Sequence, residues 1–357
     1  MTHYLILAVV ALAATLIATP IVRELSIRAS LVDRPGGRKV HVKAVPRLGG
    51  IGIFVGFTAA LVVESVGGSA GWWAPVMSPG DYPLMGALAG CALIFVVGLV
   101  DDLKGLTPGM KLAGQVLAAA VPIAAGLRME FIGNPLGGGL FQLGLLSYPV
   151  TLVWIVAFAN VFNLIDGLDG LAAGVAGIAA VSFLLLAIDM NQFVAAVLAV
   201  ALIGACAGFL RYNFNPASII MGDSGALFIG FALGCMSLLG VMKSAAAITL
   251  VAPLLVIGVP VFDTASAIIR RWRSGRPIQE ADNGHIHHRL LHRGFSQRQT
   301  VLTIYAWSAA LAAGGYSMRH VPIGVRIVVF LVLAGLSALM ASWLGLFEQA
   351  RVHGDEA

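Results

Sequence analysis

Several short polar segments in this sequence carry the residue types that handle phosphate, metal ions or protons. The first is an adjacent pair of carboxylates, Asp101 and Asp102, at the end of an apolar run. Two such carboxylates can bind a divalent cation, or one can act as a base or nucleophile while the other holds a lysine such as Lys104 or Lys111. Because carboxylates at a helix C-terminus oppose the helix dipole, a merely solvated helix end is the weaker interpretation.

A second segment places Asn160, Asn163 and Asp166 three residues apart, which puts their side chains along one face of a helix. Asp169 follows in the turn. Oxygen-bearing side chains at a depth where water is scarce are costly unless they bind an ion or a polar ligand. The alternative is a network of hydrogen bonds between helices.

A third segment, residues 221–225, reads Met-Gly-Asp-Ser-Gly and has Asp223 at the position of a helix N-cap. A helix N-terminus beside a carboxylate suits a magnesium-bridged phosphate, with the backbone amides facing the anion and the carboxylate facing the cation. An N-cap without further function is an equal alternative.

The longest polar segment contains His285, His287, His288 and Arg289. Zinc is disfavoured, because no cysteine accompanies these histidines and their spacing is too tight for a tetrahedral site. Histidine together with arginine is better suited to anionic groups, and arginine in particular binds phosphate oxygens. The segment therefore predicts a phosphate-binding loop.

The elements that must position these residues are membrane helices. Apolar residues make up 59% of the 357 positions, charged residues only 11%, and the mean hydropathy is +0.92. Apolar windows long enough to cross a bilayer core, about 17 to 25 residues each, recur throughout. Eleven of them begin near residues 4, 48, 83, 111, 148, 169, 192, 223, 245, 300 and 324. The expected fold is a single all-α polytopic membrane domain over residues 1–357, with Cys91, Cys206 and Cys235 as small core residues.

The distribution of positive charge predicts the orientation. If the N-terminus is outside, all but four of the 22 lysines and arginines fall on the inner side. This skew follows the positive-inside rule, so the C-terminus and every polar segment above are expected to be cytoplasmic. It also explains the net charge of +5 without a nucleic-acid partner. Since the first window has its positive charge after the apolar stretch, an uncleaved span is favoured over a signal peptide.

On the outer side, glycine-rich residues 133–144 predict a hairpin or a re-entrant turn.

A transporter is the main alternative from another functional class, and it predicts charges near the middle of the membrane. Here the middles of the windows are nearly free of charge. The exception is Asp263, which either faces an inner cavity or pairs with Arg270 or Arg271. Acids gathered at the inner ends of the windows favour an enzyme.

The acid pair, the Asn/Asp/Gly run, Gly-Asp-Ser-Gly and the His-rich loop, in this order, resemble the polyprenyl-phosphate N-acetylhexosamine-1-phosphate transferases (glycosyltransferase 4 family) over nearly the whole chain. The most specific segments are residues 160–172, NVFNLIDGLDGLA, and 285–291, HIHHRLL; residues 45–50, VPRLGG, also look like the family's first inner loop. The related phospho-MurNAc-pentapeptide translocases typically carry three consecutive histidines. This chain has His-Ile-His-His-Arg instead, which favours the GlcNAc-1-phosphate branch.

The resemblance implies transfer of GlcNAc-1-phosphate from UDP-GlcNAc to undecaprenyl phosphate, forming undecaprenyl-pyrophosphoryl-GlcNAc and UMP. The implied location is the bacterial plasma membrane with a cytoplasmic active site, and the reaction would initiate an envelope glycan such as lipopolysaccharide or teichoic acid. Mg²⁺, or alternatively Mn²⁺, is the implied cofactor, and a homodimer is also implied. Another UDP-N-acetylhexosamine and UDP-MurNAc-pentapeptide are the alternative donors.

The resemblance also implies roles for individual residues. Asn163 and Asp223 match metal ligands, and Asp101 matches a base or nucleophile with Asp102 as its catalytic neighbour. The residues implied to bind substrate are Lys43, Lys111, Asp166, Asp169, His285, His287, His288 and Arg289. Ile220 departs from the family pattern, which often has a uracil-stacking phenylalanine there.

Two mechanisms are open on this reading. A lipid phosphate monoester is mostly dianionic at pH 7, which favours direct attack by the acceptor. A covalent aspartyl-phosphate on Asp101 is the rival.

Overall fold

The computed structural model describes residues 2–33, 45–78, 80–133, 139–240, 251–273 and 284–346. Lys43, predicted to bind substrate, lies outside the described residues, as does the start of the longest polar segment at residues 282 and 283.

The described residues form an almost entirely helical structure. Its helices are α1 (Thr2–Arg28), α2 (Gly50–Ser69), α3 (Tyr82–Lys104), α4 (Pro108–Ala124), α5 (Ser147–Ile165), α6 (Leu171–Asp189), α7 (Phe193–Asn213), α8 (Gly222–Leu239), α9 (Val251–Val256), α10 (Gly258–Arg273), α11 (Ile286–His292), α12 (Gln297–Ser317) and α13 (Ile323–Leu344). A short 3-10 helix, Gly144–Leu146, precedes α5.

Eight of these helices, namely α1, α2, α3, α5, α6, α7, α8 and α13, are long and apolar enough to cross a membrane. The prediction of an all-α polytopic membrane protein is therefore confirmed. The remaining predicted windows contain α4, the α9–α10 pair and α12. The count of eleven spans and the orientation stay predictions.

Two small antiparallel sheets lie between the helices. Strands β1 (Val32–Asp33) and β2 (Val45–Pro46) pair before α2. Strands β3 (Phe131–Gly133) and β4 (Leu140–Gln142) form a hairpin. The hairpin predicted from the glycine-rich stretch is thus confirmed.

Helix α8 is the centre of the packing, since every residue from Ser224 to Leu239 is buried. It packs mainly against α3 and α5, and also against α2, α6 and α7. Glycine permits the closest approach: an added Cβ at Gly98 on α3 would lie 2.6 Å from the carbonyl oxygen of Asp223. The ends of α3 and α8 therefore touch through their backbones, which fixes the distance between the acid pair and Asp223.

The chain before α8 is held by the segment that follows β2. The Ile220 amide donates to the Pro46 carbonyl at 2.9 Å, and the Gly49 and Gly50 amides donate to the Ile220 and Met221 carbonyls at 3.0 and 2.8 Å. These backbone bonds tie the first predicted inner loop to the start of α8.

Candidate active site

Four helices bring charged and amide side chains together at one end of the bundle. The Nζ atom of Lys111 on α4 lies 2.9 Å from Asp101 Oδ2 on α3 and 2.5 Å from Asp223 Oδ1 on α8. The side-chain amide of Asn163 on α5 also donates to Asp223 Oδ1. The structure thus joins four predicted site residues that lie as far as 122 positions apart in the sequence.

The turn between α3 and α4 explains how Lys111 reaches Asp101. Helix α3 ends before Gly105, whose φ of +70° favours glycine, and Thr107 caps α4 by accepting a hydrogen bond from the Met110 amide. Asp101 Oδ1 accepts a hydrogen bond from the Leu106 amide at 2.7 Å. One carboxylate oxygen of Asp101 therefore fixes the turn while the other faces Lys111.

Asp102 has a different environment from its neighbour. Its side chain is buried, Oδ1 accepts from the Asp223 amide at 2.8 Å, and Oδ2 accepts from the Ser224 amide at 2.9 Å. These are N–H groups at the N-terminus of α8, which have no partner within their own helix. Asp102 thus serves as a cap supplied by another helix, at the end where the helix dipole favours negative charge.

Two expectations about residues 221–225 are wrong. Asp223 is not the N-cap, because α8 begins at Gly222 and the N-cap position is Met221. The amides of Asp223 and Ser224 donate to the Asp102 carboxylate, so they do not face a phosphate as expected. Gly222 is needed for this approach: its φ is +76°, and an added Cβ would lie 2.7 Å from both Asp102 oxygens.

Two interpretations were given for the polar face of α5, a ligand-binding site and a hydrogen-bond network between helices. Different residues of that face fit each of them. Asn160 exchanges hydrogen bonds of 3.2 and 2.7 Å with Gln115 on α4, which is the network between helices. Asn163 reaches Asp223, and Asp166 follows at the C-cap of α5. Burial, together with the negative charges of Asp223, Asp102 and Asp169, raises the pKa of Asp166 to about 8.

Asp169 is buried and held by the chain that precedes α8. Its Oδ2 accepts hydrogen bonds from the side-chain amide of Asn215 and from the Ala217 amide, each at 3.0 Å. Asn215 also donates to Gln297 at the start of α12, at 2.7 Å. The nearby turn is completed by Gly170, with a φ of +81°. These bonds link a predicted nucleotide-binding carboxylate to α12.

The histidine segment is anchored by Asp263. Nδ1 of His285 lies 2.9 Å from Asp263 Oδ2, and the Ile286 amide donates to Asp263 Oδ1 at 2.7 Å. Of the two alternatives given for Asp263, the pair with Arg270 or Arg271 is wrong, because its carboxylate contacts His285 and the Ile286 amide. Asp263 and His285 are both buried, so this contact fixes the start of α11.

His287 brings the segment next to the Asp166 turn. An added Cβ at Gly167 would lie 2.4 Å from His287 Nε2, so the ring rests against the glycine. Burial, with a smaller contribution from His288 and His285 and against the opposing charge of Asp263, lowers the pKa of His287 to about 3. His287 is therefore neutral at pH 7. The ring of His288 lies 4.3 Å from that of His287, centroid to centroid.

Arg289, predicted to bind phosphate, has contacts with the backbone. Its Nε donates to the Gly284 carbonyl at 3.0 Å and its Nη1 to the Leu344 carbonyl at 3.3 Å. The second acceptor lies at the end of α13, where carbonyls have no partner within the helix. Arg289 thus also connects the histidine segment to the last helix.

The oxygen atoms around Asp223 fit a magnesium ion in part. Among the described residues, no group of three or more His, Cys, Asp or Glu side chains converges on a metal position. Mg²⁺, however, is commonly held by one or two carboxylates together with waters and substrate phosphates. A carboxylate oxygen of Asp223 and the amide oxygen of Asn163, after rotation of the amide, would supply oxygen ligands of the kind that Mg²⁺ prefers.

Sequence reasoning missed several residues of this region. Gln115, Asn215 and Gln297 carry no motif, and their partners are distant in the chain. The signal for Gln115 was present, since a buried amide inside an apolar window requires a polar partner.

These features define a polytopic membrane protein with a lysine–carboxylate site at one end of its helices. The chain matches the model of glycosyl transferase family 4 over residues 84–241. It is 36% identical to the "probable undecaprenyl-phosphate N-acetylglucosaminyl 1-phosphate transferase" of Bacillus subtilis, over 98% of this chain and 94% of that protein. The chain belongs to this family of membrane transferases.

Two further relatives differ in the lipid that their names contain. The "decaprenyl-phosphate N-acetylglucosaminephosphotransferase" of Mycolicibacterium smegmatis is 37% identical over 92% of this chain and 87% of its own length. The "undecaprenyl-phosphate alpha-N-acetylglucosaminyl 1-phosphate transferase" of Yersinia pestis is 29% identical over 87% of this chain and 84% of its own.

Proposed function

We propose that this protein transfers GlcNAc-1-phosphate from UDP-GlcNAc to undecaprenyl phosphate, with the active site on the cytoplasmic side of the bacterial plasma membrane. The observation that carries the proposal is the cluster of Lys111 with Asp101, Asp223 and Asn163 at one end of the helices. Support also comes from the relatives, which combine a polyprenyl phosphate and an N-acetylglucosamine phosphate in their names.

The reaction is a displacement at phosphorus. An oxygen of the lipid phosphate attacks the β-phosphorus of UDP-GlcNAc, the new P–O bond forms, and the bond to the α-phosphate breaks to release UMP. Such a transfer depends on positioning and on stabilising the charge that spreads over the phosphate oxygens. Lys111 is the cation within the cluster, so we assign it to a transferring or leaving phosphate.

We assign Asp101 to the acceptor side. Its Oδ2 is 2.9 Å from Lys111, and its Oδ1 is engaged by the Leu106 amide. Hydrogen bonds to both oxygens stabilise the carboxylate and lower its nucleophilicity, which favours direct attack by the lipid phosphate over a covalent aspartyl-phosphate. Asp101 then orients the acceptor and removes its residual proton.

Asp223, with the amide oxygen of Asn163, would hold Mg²⁺ or Mn²⁺, which would neutralise negative charge on the donor phosphates. We assign Asp102 a structural part in the reaction: its bonds to the Asp223 and Ser224 amides set the position of Asp223.

We assign the donor's nucleotide and sugar to the surface formed by the Asp166–Gly167 turn and the histidine segment. Asp166 is mostly protonated at pH 7, so it can donate a hydrogen bond to a neutral acceptor such as a carbonyl. Neutral His287 can do the same without adding charge. Ile220 offers an aliphatic face at the position where an aromatic ring would stack.

The test is a transfer assay with the full-length protein purified in detergent. Labelled UDP-GlcNAc, UDP-GalNAc and UDP-MurNAc-pentapeptide are each incubated with undecaprenyl or decaprenyl phosphate and Mg²⁺, and the labelled lipid is extracted. We expect the product from UDP-GlcNAc with undecaprenyl phosphate, and no product with Asp223→Asn. Product from UDP-MurNAc-pentapeptide alone would refute the proposed donor, and parent activity in Asp223→Asn would refute the metal assignment.

A separate exchange experiment distinguishes the two mechanisms. Labelled UMP is incubated with UDP-GlcNAc and the enzyme in the absence of any lipid phosphate. Direct attack predicts no label in UDP-GlcNAc, since UMP leaves only when the acceptor attacks. Exchange that requires the Asp101 carboxylate would establish the covalent route instead.

A further inference from the structure

A groove of about 600 Å³ opens on the side of the bundle between α6, α7 and α12. Its lining is almost entirely apolar, with Ile178 and Leu185 from α6, Ile203 and Leu210 from α7, and Ala309 from α12. The groove lies along helices of the membrane region, two of which are long and apolar enough to span it. This apolar groove is therefore expected to be in contact with lipid chains.

The length of the groove corresponds to one leaflet. Its lining on α6 extends from Gly174 to Leu185, eleven residues apart, which is about 17 Å along a helix. Half of a hydrocarbon core is about 15 Å. An acyl chain of one leaflet matches this length, whereas a polyprenyl chain of ten or eleven isoprene units would extend well beyond it.

The two ends of the groove differ in charge. At the end near the candidate active site, its lining faces continue into two exposed arginines: Arg211 lies four residues after Ala207 on α7, and Arg298 lies seven residues before Tyr305 on α12. Nε of Arg298 donates to the Asn215 carbonyl at 3.0 Å.

At the opposite end, basic residues lie beside an acid: His320 Nε2 is 2.9 Å from the Asp189 carboxylate, and Arg319 donates to the Asp189 carbonyl at 3.2 Å. The Asp189 carboxylate therefore offsets positive charge at that end, whereas the two arginines of the first end have no acid beside them on the lining faces of the described helices.

We propose that this groove binds an anionic phospholipid of the leaflet next to the active site, with an acyl chain in the groove and its phosphate at Arg211 and Arg298. The charge at the site-proximal end matches an anionic head group. This lipid is distinct from the acceptor, because the proposed phosphate-handling residues Asp101, Lys111 and Asp223 lie on α3, α4 and α8, none of which lines the groove.

The bound lipid would brace α12 against the active site. The hydroxyl of Tyr305, which lines the groove, donates to the Gly170 carbonyl at 2.5 Å. At the start of α12, Gln297 accepts from Asn215, which also donates to Asp169. Filling the groove therefore fixes the helix whose first turn supports a predicted nucleotide-binding carboxylate.

The test measures equilibrium binding of isotope-labelled phosphatidylglycerol and phosphatidylcholine, with identical acyl chains, to delipidated full-length protein in detergent. We expect phosphatidylglycerol to bind about tenfold more tightly, because its head group is net negative, whereas the choline cation of phosphatidylcholine offsets the phosphate charge and is repelled by the two arginines. The double variant Arg211→Gln/Arg298→Gln should reduce this preference to about twofold or less, because the acyl-chain contact that remains is the same for both lipids. Arg28→Gln is the control, because Arg28 is an exposed cation on α1.

A second variant tests the groove itself. Gly177→Leu should fill it without a clash, since an added Cβ has its nearest neighbour, Cys206 Cβ, at 3.9 Å. We expect this variant to lose binding of both phospholipids, while Val153→Leu, on the exposed face of α5, binds as the parent does. Equal binding of the two phospholipids, undiminished binding to Gly177→Leu, or stoichiometric displacement by undecaprenyl phosphate would each overturn the proposal.

Discussion

Replacing Asp102 by asparagine tests whether this residue holds α8 in place or takes part in the chemistry. The carboxylate is 3% exposed and accepts two backbone hydrogen bonds, at 2.8 and 2.9 Å. A hydrogen bond to a charged group contributes about 1.5 to 3 kcal/mol, so the two bonds together contribute about 3 to 6 kcal/mol. Asparagine keeps one acceptor oxygen but turns an N–H₂ group towards the second amide. We therefore expect Asp102→Asn to lose about half of this stabilisation, ~1.5 to 3 kcal/mol.

The adjacent carboxylate provides the matched control. Asp101→Asn retains an oxygen that can accept from the Leu106 amide and loses its charge opposite Lys111. We expect Asp101→Asn to lose turnover with a small change in melting temperature. Asp102→Asn should show a clear fall in melting temperature, and it should lose turnover because Asp223 is displaced.

The assay is thermal unfolding of the purified full-length variants in the same detergent, with initial transfer rates measured well below each melting temperature. If Asp102→Asn melts like the parent yet loses turnover as Asp101→Asn does, the capping argument is wrong and Asp102 acts in the chemistry. If Asp102→Asn retains both stability and turnover, the two hydrogen bonds contribute to neither the stability of the fold nor the reaction.

Three further predictions follow from single contacts. Gly167→Ala should displace the histidine segment and lower activity, because the new Cβ would lie 2.4 Å from His287 Nε2; His287→Ala in the same chain should restore part of the melting temperature. Gln115→Leu should destabilise the protein by about 1 to 2 kcal/mol, because Asn160 loses both bonds to Gln115 and keeps only the bond to the Val156 carbonyl; adding Asn160→Leu should recover stability in a double-mutant cycle. Asp166 has its pKa raised to about 8 in the folded protein; because it ionises near pH 4 when unfolded, stability is lost as the pH rises between those values. The melting temperature of Asp166→Asn relative to the parent should therefore increase from pH 5 to pH 8 in magnesium-free buffer, and a constant difference would contradict the shift.

The membrane fold and the location of the site were predictable because they depend on local composition. Apolar windows specify helices of about the right length wherever they occur. Polar residues are costly within such windows, so the acids and amides gathered at the window ends indicated a functional site. Asp101, Lys111, Asn163 and Asp223 were predicted on that basis together with the resemblance, and the structure brings them into one cluster.

The partners of those residues could not be predicted, because each depends on how distant helices pack. For Asp263 the sequence suggested either an inner cavity or a pair with Arg270 or Arg271 on its own helix, but its partner His285 lies 22 residues away beyond the end of α10. Similarly, Asp223 matched an N-cap by local pattern. The true cap comes from Asp102, 121 residues earlier, and requires the close approach of α3 at Gly98.

The two adjacent acids show why residue type alone does not specify a role. Consecutive side chains on a helix point about 100° apart, so Asp101 and Asp102 cannot face the same partner. One direction leads to the Lys111 ammonium and the other to the first amides of α8. The pair thus combines a charged side chain in the proposed reaction site with a fixed point for the helix that carries Asp223. Each acid thus has its own physical reason to be there, and only Asp101 lies beside the cation that the proposed phosphate transfer needs.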